Sequence, residues 1–400
     1  MIRLLTFLMF MMFAMTTDSV GVIIPQIIKE FRLSMTEAGA FHYVPMAAIA
    51  CAGIFLGFLA DKLGRKTTII LGLVLFALNS FLFSVGNAFA FFVGLLAVSG
   101  CAIGIFKTGA LALIGDISKS TTEHTTTMNA VEGFFGVGAI IGPAIVARLL
   151  AAGTSWKYLY VIAGLLSVLL IAAASMVRYP STMKKSEEPI DLRGTVHMMG
   201  NAYALAFSLG AFLYVSTECA IYVWMPTLLE AYHGPATFIA AYAISIFFIL
   251  RAGGRFLGAW LLAKLDWTLA LLVFSFAILL CFLGSVIGGV GVAVFLLPLS
   301  GLFMSVVYPT INSKGISCFP KAQHGTVAGV ILFFTCGGAA LGPLAMGAVS
   351  DFFGSPKFGF YLATGFAALL FLGALFNKLR NPARAMLDKL DYSEYEHTQA

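Results

Sequence analysis

The sequence predicts an all-α membrane protein of twelve transmembrane helices arranged as two six-helix halves. Three observations predict it. Of 400 residues, 60% are hydrophobic and 10% charged, with a mean hydropathy of +0.96, a composition foreign to soluble globular domains. The apolar residues fall in runs of about 20 or more, the length a helix needs to cross hydrocarbon. A polar linker, residues 178–199, divides the chain nearly in half, and a pattern from the first half returns in the second.

Crossings are expected at about residues 4–28, 39–60, 67–86, 88–116, 128–152, 156–177, 200–229, 236–262, 267–287, 289–316, 324–350 and 357–377. The first run follows Met1-Ile2-Arg3 like a signal peptide. At about 25 residues it is too long for one and lacks a small-residue cleavage site, so it reads as the first membrane helix. The ends at 86–88 and 287–289 rest on glycines. The halves are thus 1–177 and 200–377, with a polar tail at 378–400. Gly138-Ala-Ile-Ile-Gly142-Pro143 in the fifth crossing recurs as Gly338-Ala-Ala-Leu-Gly342-Pro343 in the eleventh, each after a Phe-Phe pair.

Basic residues set the orientation. With a cytoplasmic N-terminus, Lys29, Arg32, Arg148, Lys157 and Lys357 lie outside, and Lys107, Arg251 and Arg255 lie within helices. The other sixteen of the 24 then face the cytoplasm, so both termini are expected there, in a bacterial-type inner membrane. The net charge of +6 does not indicate a nucleic-acid partner, because the cations are scattered among loops rather than massed on one face. The six cysteines show neither C-x-x-C nor His spacing, and the six histidines form no ligand or nucleophile pattern. No G-x-x-x-x-G-K-[ST] occurs. Catalytic residues, metal and cofactor are therefore not expected.

Between the second and third crossings lies Gly57-Phe-Leu-Ala-Asp61-Lys62-Leu-Gly64-Arg65-Lys66. Its glycines permit a tight turn and its charges mark a membrane surface. Six further charges stand well inside crossings: Asp18, Lys107, Glu132, Glu218, Arg251 and Arg255. Burying each at the bilayer centre costs about 3 kcal/mol or more, so each needs a reason. Asp18 either binds and releases a proton or is permanently paired for assembly. Lys107 and Glu132 enter antiparallel helices to similar depth and are expected to pair, either constitutively or until substrate or proton arrives. Glu218 lies among Tyr214, Tyr222 and Trp224, where a carboxylate beside aromatic faces suits a polyol; packing is the alternative for the aromatics. Arg251, Tyr308 and Asn312 complete the expected substrate-binding set. Asp116, closing the fourth crossing, is placed to meet Arg65.

The 57–66 segment resembles the signature loop of the major facilitator superfamily. That resemblance implies its twelve-helix fold, alternating access, and a conformational-switch role for Gly57, Asp61, Gly64, Arg65, Lys66, Asp116 and Arg255. A narrower resemblance, to the fucose–proton symporter family, rests on three segments. They are Gly301-Leu-Phe-Met-Ser-Val-Val-Tyr308-Pro309-Thr310-Ile311, Gly254-Arg255-Phe, and Glu218 ahead of Trp224. It implies that Asp18 matches the helix-one proton acceptor. Lys107 departs from that family, standing where its helix-four carboxylate belongs, so Glu132 or Glu218 would supply the second acid.

The expected function is proton-coupled symport of a sugar or sugar-like small solute, with sodium as the alternative coupling ion. Export of drugs or amphipathic metabolites is the second reading. A small organic anion, welcomed by Lys107, is the third. The partners are the solute, the ion and the lipid bilayer, and a monomer is expected.

Overall fold

The computed structural model describes residues 1–56, 59–117, 121–179, 198–262, 266–319 and 324–391. Gly57, the Asp61 side chain and most of the 178–199 linker lie outside what it describes. The described residues of the first half form α1 (Ile2–Thr17), α2 (Val20–Phe31), α3 (Met35–Ala38), α4 (Ala40–Phe55), α5 (Leu59–Lys62), α6 (Arg65–Leu82), α7 (Phe89–Ile117), α8 (Thr121–Ala151) and α9 (Tyr158–Met176). The second half carries α10 (Ala202–Cys219), a π-helical segment at Ala220–Trp224, α11 (Met225–Leu229), α12 (Thr237–Ala241), α13 (Ala243–Leu262), α14 (Trp267–Gly288) and α15 (Val290–Met304). It ends with α16 (Val307–Ser317), α17 (His324–Phe353), α18 (Pro356–Arg380) and α19 (Arg384–Asp391).

Among the described residues ten spans are long and apolar enough to cross a membrane. With α4 and α13 they make the twelve crossings. The first crossing is α1 with α2, the seventh runs from α10 to α11, and the tenth is α15 with α16. The third stops at Leu82, short of residue 86, because Ser84–Gly86 leave the helix and Lys157 Nζ donates to the Gly86 carbonyl at 3.0 Å. The fifth starts at Thr121, earlier than expected, and the twelfth runs on to Arg380, where Asn381 closes it in the left-handed region at φ 40°.

Among the described residues several crossings are interrupted, and proline accounts for two of the breaks. Pro309 clashes with the carbonyl four residues back, and the tenth crossing is interrupted at Ser305–Val306. Pro226 cannot donate toward Tyr222, and the seventh crossing widens into its π segment there. The first crossing breaks at Asp18–Ser19, with the Asp18 N–H still bonded to the Ala14 carbonyl at 3.0 Å.

The chain divides into two compact units: residues 1–186 with 240–248, and residues 187–239 with 249–400. In the first, α1 packs on α8 and α9, α6 on α7 and α9, and α4 on α7. Phe10, Phe13, Phe76 and Phe106 meet at its centre with ring centroids 4.6–5.2 Å apart. In the second, α10 packs on α17, and α14 on α15 and α18. The repeated glycines allow the closest approaches. A Cβ at Gly138 or Gly142 would enter the backbone carbonyls of Met11 and Met15. At Gly338 and Gly342 it would come within 2.6 Å of the Phe212 carbonyl and 2.8 Å of Ser216.

Candidate functional site

The second unit holds the tightest group of ionisable and aromatic side chains among those expected. Glu218 sits at the end of α10, its side chain 8% exposed, and Arg251 of α13 meets its Oε1 at 2.7 Å. Tyr214, one turn earlier on the same helix face, offers its single hydroxyl proton to Glu218 Oε1 or to the Met304 carbonyl, each at 3.0 Å. Its ring stacks on Tyr308, centroids 5.8 Å apart. The Tyr308 hydroxyl lies 3.4 Å from Thr335 Oγ1, which itself donates to the Ile331 carbonyl. The interruption at Ser305–Val306 turns Tyr308 at the head of α16 toward this group. A charge-assisted carboxylate–guanidinium contact beside two phenols can release donors and acceptors if either charge is neutralised.

The remaining expected residues divide by role. Trp224 is buried and its Nε1–H donates to the Pro343 carbonyl at 3.0 Å, so it joins the seventh and eleventh crossings as packing. Tyr222 is half-buried with its hydroxyl 2.8 Å from Cys219 Sγ. Arg255 follows Arg251 by one turn and is exposed, and Asn312 is half-buried one turn after Tyr308. Thr335 had no signal in the sequence, being one more hydroxyl in an apolar run.

In the first unit, Asp18 occupies the break between α1 and α2, half-buried, and its Oδ2 accepts from Thr17 Oγ1 at 2.9 Å. Lys107 Nζ lies 5.6 Å from the centroid of the Phe135 ring. Glu132, one turn before Phe135, is exposed, and among the described residues no ion pair joins it to Lys107. The two helices thus meet near the expected depth, through Lys107 and Phe135.

The charged loop end of this unit is a network. Gly64 adopts φ 83° and starts α6, which a side chain would resist. Arg65, 6% exposed, donates from Nε to Asp116 Oδ2 at 2.8 Å. Lys66 Nζ donates to the carbonyls of Ser175 and Val177 at the end of α9, and Arg3 donates to that of Ile117 at the end of α7. These cations satisfy terminal carbonyls and oppose the negative ends of two helix dipoles.

Comparison with known proteins agrees with this architecture. Residues 5–343 match the profile of the Major Facilitator Superfamily. A glucose/galactose transporter of Brucella abortus is 23% identical over 362 residues, covering 87% of each chain. A putative glucose/galactose transporter of Helicobacter pylori is 25% identical over 399 residues, covering 94% of this chain and 95% of the relative. The quinolone resistance protein NorA of Staphylococcus aureus is 30% identical over 157 residues, 38% of this chain and 39% of NorA. Among solved structures, the nucleoside transporter NupG aligns with a TM-score of 0.78 at 16% identity, covering 94% of this chain and 99% of NupG. The transporter FucP in its outward conformation aligns at 0.64 and 21%, covering 94% and 98%. The chain belongs to the Major Facilitator Superfamily and is a membrane transporter.

Proposed function

We propose that the protein is a proton-coupled symporter of a sugar or sugar-like small solute, working by alternating access, with both termini in the cytoplasm. The match to two glucose/galactose transporters along nearly their whole length carries the sugar assignment. The Glu218–Arg251 pair beside Tyr214 and Tyr308 supplies chemistry that fits it, because charged acceptors and phenol faces suit a ring of hydroxyls over C–H. Proton uptake by Glu218 would free Arg251 and turn the Tyr214 hydroxyl to Met304. Asp18, at a helix break where backbone groups are loosened, is the first-half proton site, with Glu132 as its helper.

The charged loop serves as the conformational switch in this reading. Gly57, Asp61, Gly64, Arg65, Lys66 and Asp116 bias the inward–outward equilibrium without touching solute, and Arg255 takes the corresponding part in the second half. Drug export is the second reading, favoured by the 30% identity of a 157-residue stretch to NorA. Uptake of labelled glucose, galactose and fucose into proteoliposomes, under an imposed pH or sodium gradient, tests the assignment. Accumulation driven by the pH gradient and abolished in Asp18→Asn is expected. Extrusion of a cationic dye with no hexose uptake would replace symport by export.

A further inference from the structure

The two halves differ at the helix ends away from their charged loops. In the first, Trp156 precedes the sixth crossing and is 2% exposed. Its ring packs against Phe41, Phe83, Phe92 and Tyr160 at centroid distances of 5.3–6.4 Å. The buried faces of the sixth and twelfth crossings correspond residue for residue at an offset of 200: Tyr160 with Phe360, Ala163 with Ala363, Leu170 with Leu370. At that offset the place of Trp156 is taken by Pro356.

Where the first half has its aromatic plug, the second has a cavity of about 250 Å³. Leu228, Val286, Val290 and Phe360 give it apolar walls, and Lys357 stands exposed at its rim, its ammonium 5.6 Å from the Tyr361 ring centroid. Thr227 also lines it. That residue is 9% exposed, and its hydroxyl is buried without a hydrogen-bond partner. Other buried helical threonines here donate to a carbonyl three or four residues back, as Thr16, Thr310 and Thr364 do. Thr227 follows the π segment, whose wider turn shifts those carbonyls out of register. A buried hydroxyl left unpaired costs about 1–3 kcal/mol, which a ligand acceptor would recover.

We propose that this cavity binds an anionic phospholipid, its phosphate at Lys357, its glycerol-ester region accepting from Thr227, and an acyl segment against the apolar wall. The cavity lies where the seventh and ninth crossings end and the tenth and twelfth begin, which is headgroup depth. In the orientation proposed above, that is the outer leaflet. The site lies wholly within the second unit and uses none of the residues assigned to solute or proton.

The test uses the full chain, delipidated in a neutral detergent and melted with phosphatidylglycerol, phosphatidylcholine or soluble glycerol 3-phosphate. Phosphatidylglycerol should raise the melting temperature saturably and the other two should not. Lys357→Gln should weaken the half-saturating concentration about tenfold, the loss of one charge-assisted contact, and Lys357→Arg should restore it. Pro356→Trp, which imports the first half's plug, should melt higher without lipid and lose the lipid shift. The near-isosteric Thr227→Val should also lose most of the shift while keeping the fold. A shift that survives Thr227→Val and Lys357→Gln would overturn the site. An equal shift with glycerol 3-phosphate would overturn the lipid assignment and leave a soluble phosphate monoester as the ligand.

Discussion

At the charged ends of the third and ninth crossings the two halves solve one problem with opposite charge. In the first half the helix start is cationic: Arg65 reaches Asp116 on the fourth crossing, and Lys66 reaches carbonyls at the end of the sixth. In the second, Asp266 precedes the ninth crossing and accepts from Lys378 at the end of the twelfth, at 3.1 Å. Lys314 of the tenth lies 6.0 Å from the ring centroid of Trp267, the first residue of the ninth. The connections therefore persist while the partners change, the cation Lys66 giving way to the carboxylate Asp266 and an ion pair to a cation over a ring. What the repeat keeps is which helix ends are tied together, and the residues that tie them are free to change.

The same rule holds within the membrane. At the offset of 200, Phe135 on the fifth crossing corresponds to Thr335 on the eleventh, and Lys107 on the fourth to Val307, the neighbour of Tyr308, on the tenth. A cation over a ring in one half becomes a hydroxyl pair in the other. The largest expected effect comes from the Glu218–Arg251 pair, the shortest ion pair among the described residues. Arg251→Met leaves Glu218 buried and uncompensated, and should cost roughly 3–5 kcal/mol. Adding Glu218→Gln should recover most of it, with a coupling of several kcal/mol in a double-mutant cycle read by thermal melting. Lys107→Met and Glu132→Gln, by contrast, should add to within about 0.5 kcal/mol. A large coupling there would erase the contrast between the halves.

Much of this was legible in the sequence because it is a matter of period and length. Apolar runs mark crossings, Pro309 marks the break four residues before it, and the spacing of Gly138 and Gly142 reappears at Gly338 and Gly342. The Arg65–Asp116 contact was legible too, since both stand at helix ends on the same side. Side-chain direction was not. Lys107 and Glu132 share a depth, but the rotation of each helix decides whether they face, and an apolar stripe that is hydrophobic all round carries no record of rotation. Site and packing both stood open for Trp224, because an aromatic near a buried acid looks alike in both roles, and only the structure shows its indole donating to the Pro343 carbonyl.

The charged ends allow a second contrast. Arg65→Ala breaks a pair whose side chains are 6% and 26% exposed, and should cost about 2–3 kcal/mol. Lys378→Ala breaks one whose side chains are 35% and 47% exposed, and should cost less than about 1 kcal/mol. If Arg65 serves the switch, its variant should also slow solute exchange in proteoliposomes at unchanged half-saturating solute. Equal stability losses at the two ends would show that burial does not distinguish them.

A third contrast lies in the repeated glycines. Gly138→Ala and Gly142→Ala drive a methyl into backbone carbonyls that cannot move without shifting the first crossing. Each should cost about 2–3 kcal/mol, the upper part of the overpacking range. Gly338→Ala and Gly342→Ala meet their neighbours less closely, and Gly342 meets a serine side chain as well as backbone. About 1–2 kcal/mol is expected for each. Thermal melts of the four single variants decide this, and the reverse ranking would mean that the seventh crossing, for all its π segment, yields less than the first.

The smallest effect concerns Asp266 and is a matter of pH. Partial burial works to raise its pKa, but hydrogen bonds from Thr268 and Lys378, the Lys378 charge and the Leu269 N–H outweigh that and hold it below the ordinary 3.8. A carboxylate whose pKa falls on folding adds stability above its unfolded value and loses it as the pH drops through the folded one. The contribution of Asp266 should therefore be complete above about pH 4 and fade only in more acid solution. Because the group is nearly half exposed, solvent screens it, and the difference between wild type and Asp266→Asn should stay within about 1 kcal/mol. Melts of the two proteins should run parallel from neutral pH down to that point and converge below it. Convergence beginning near pH 6 would mean that a histidine, not this carboxylate, governs the charged end of the second half.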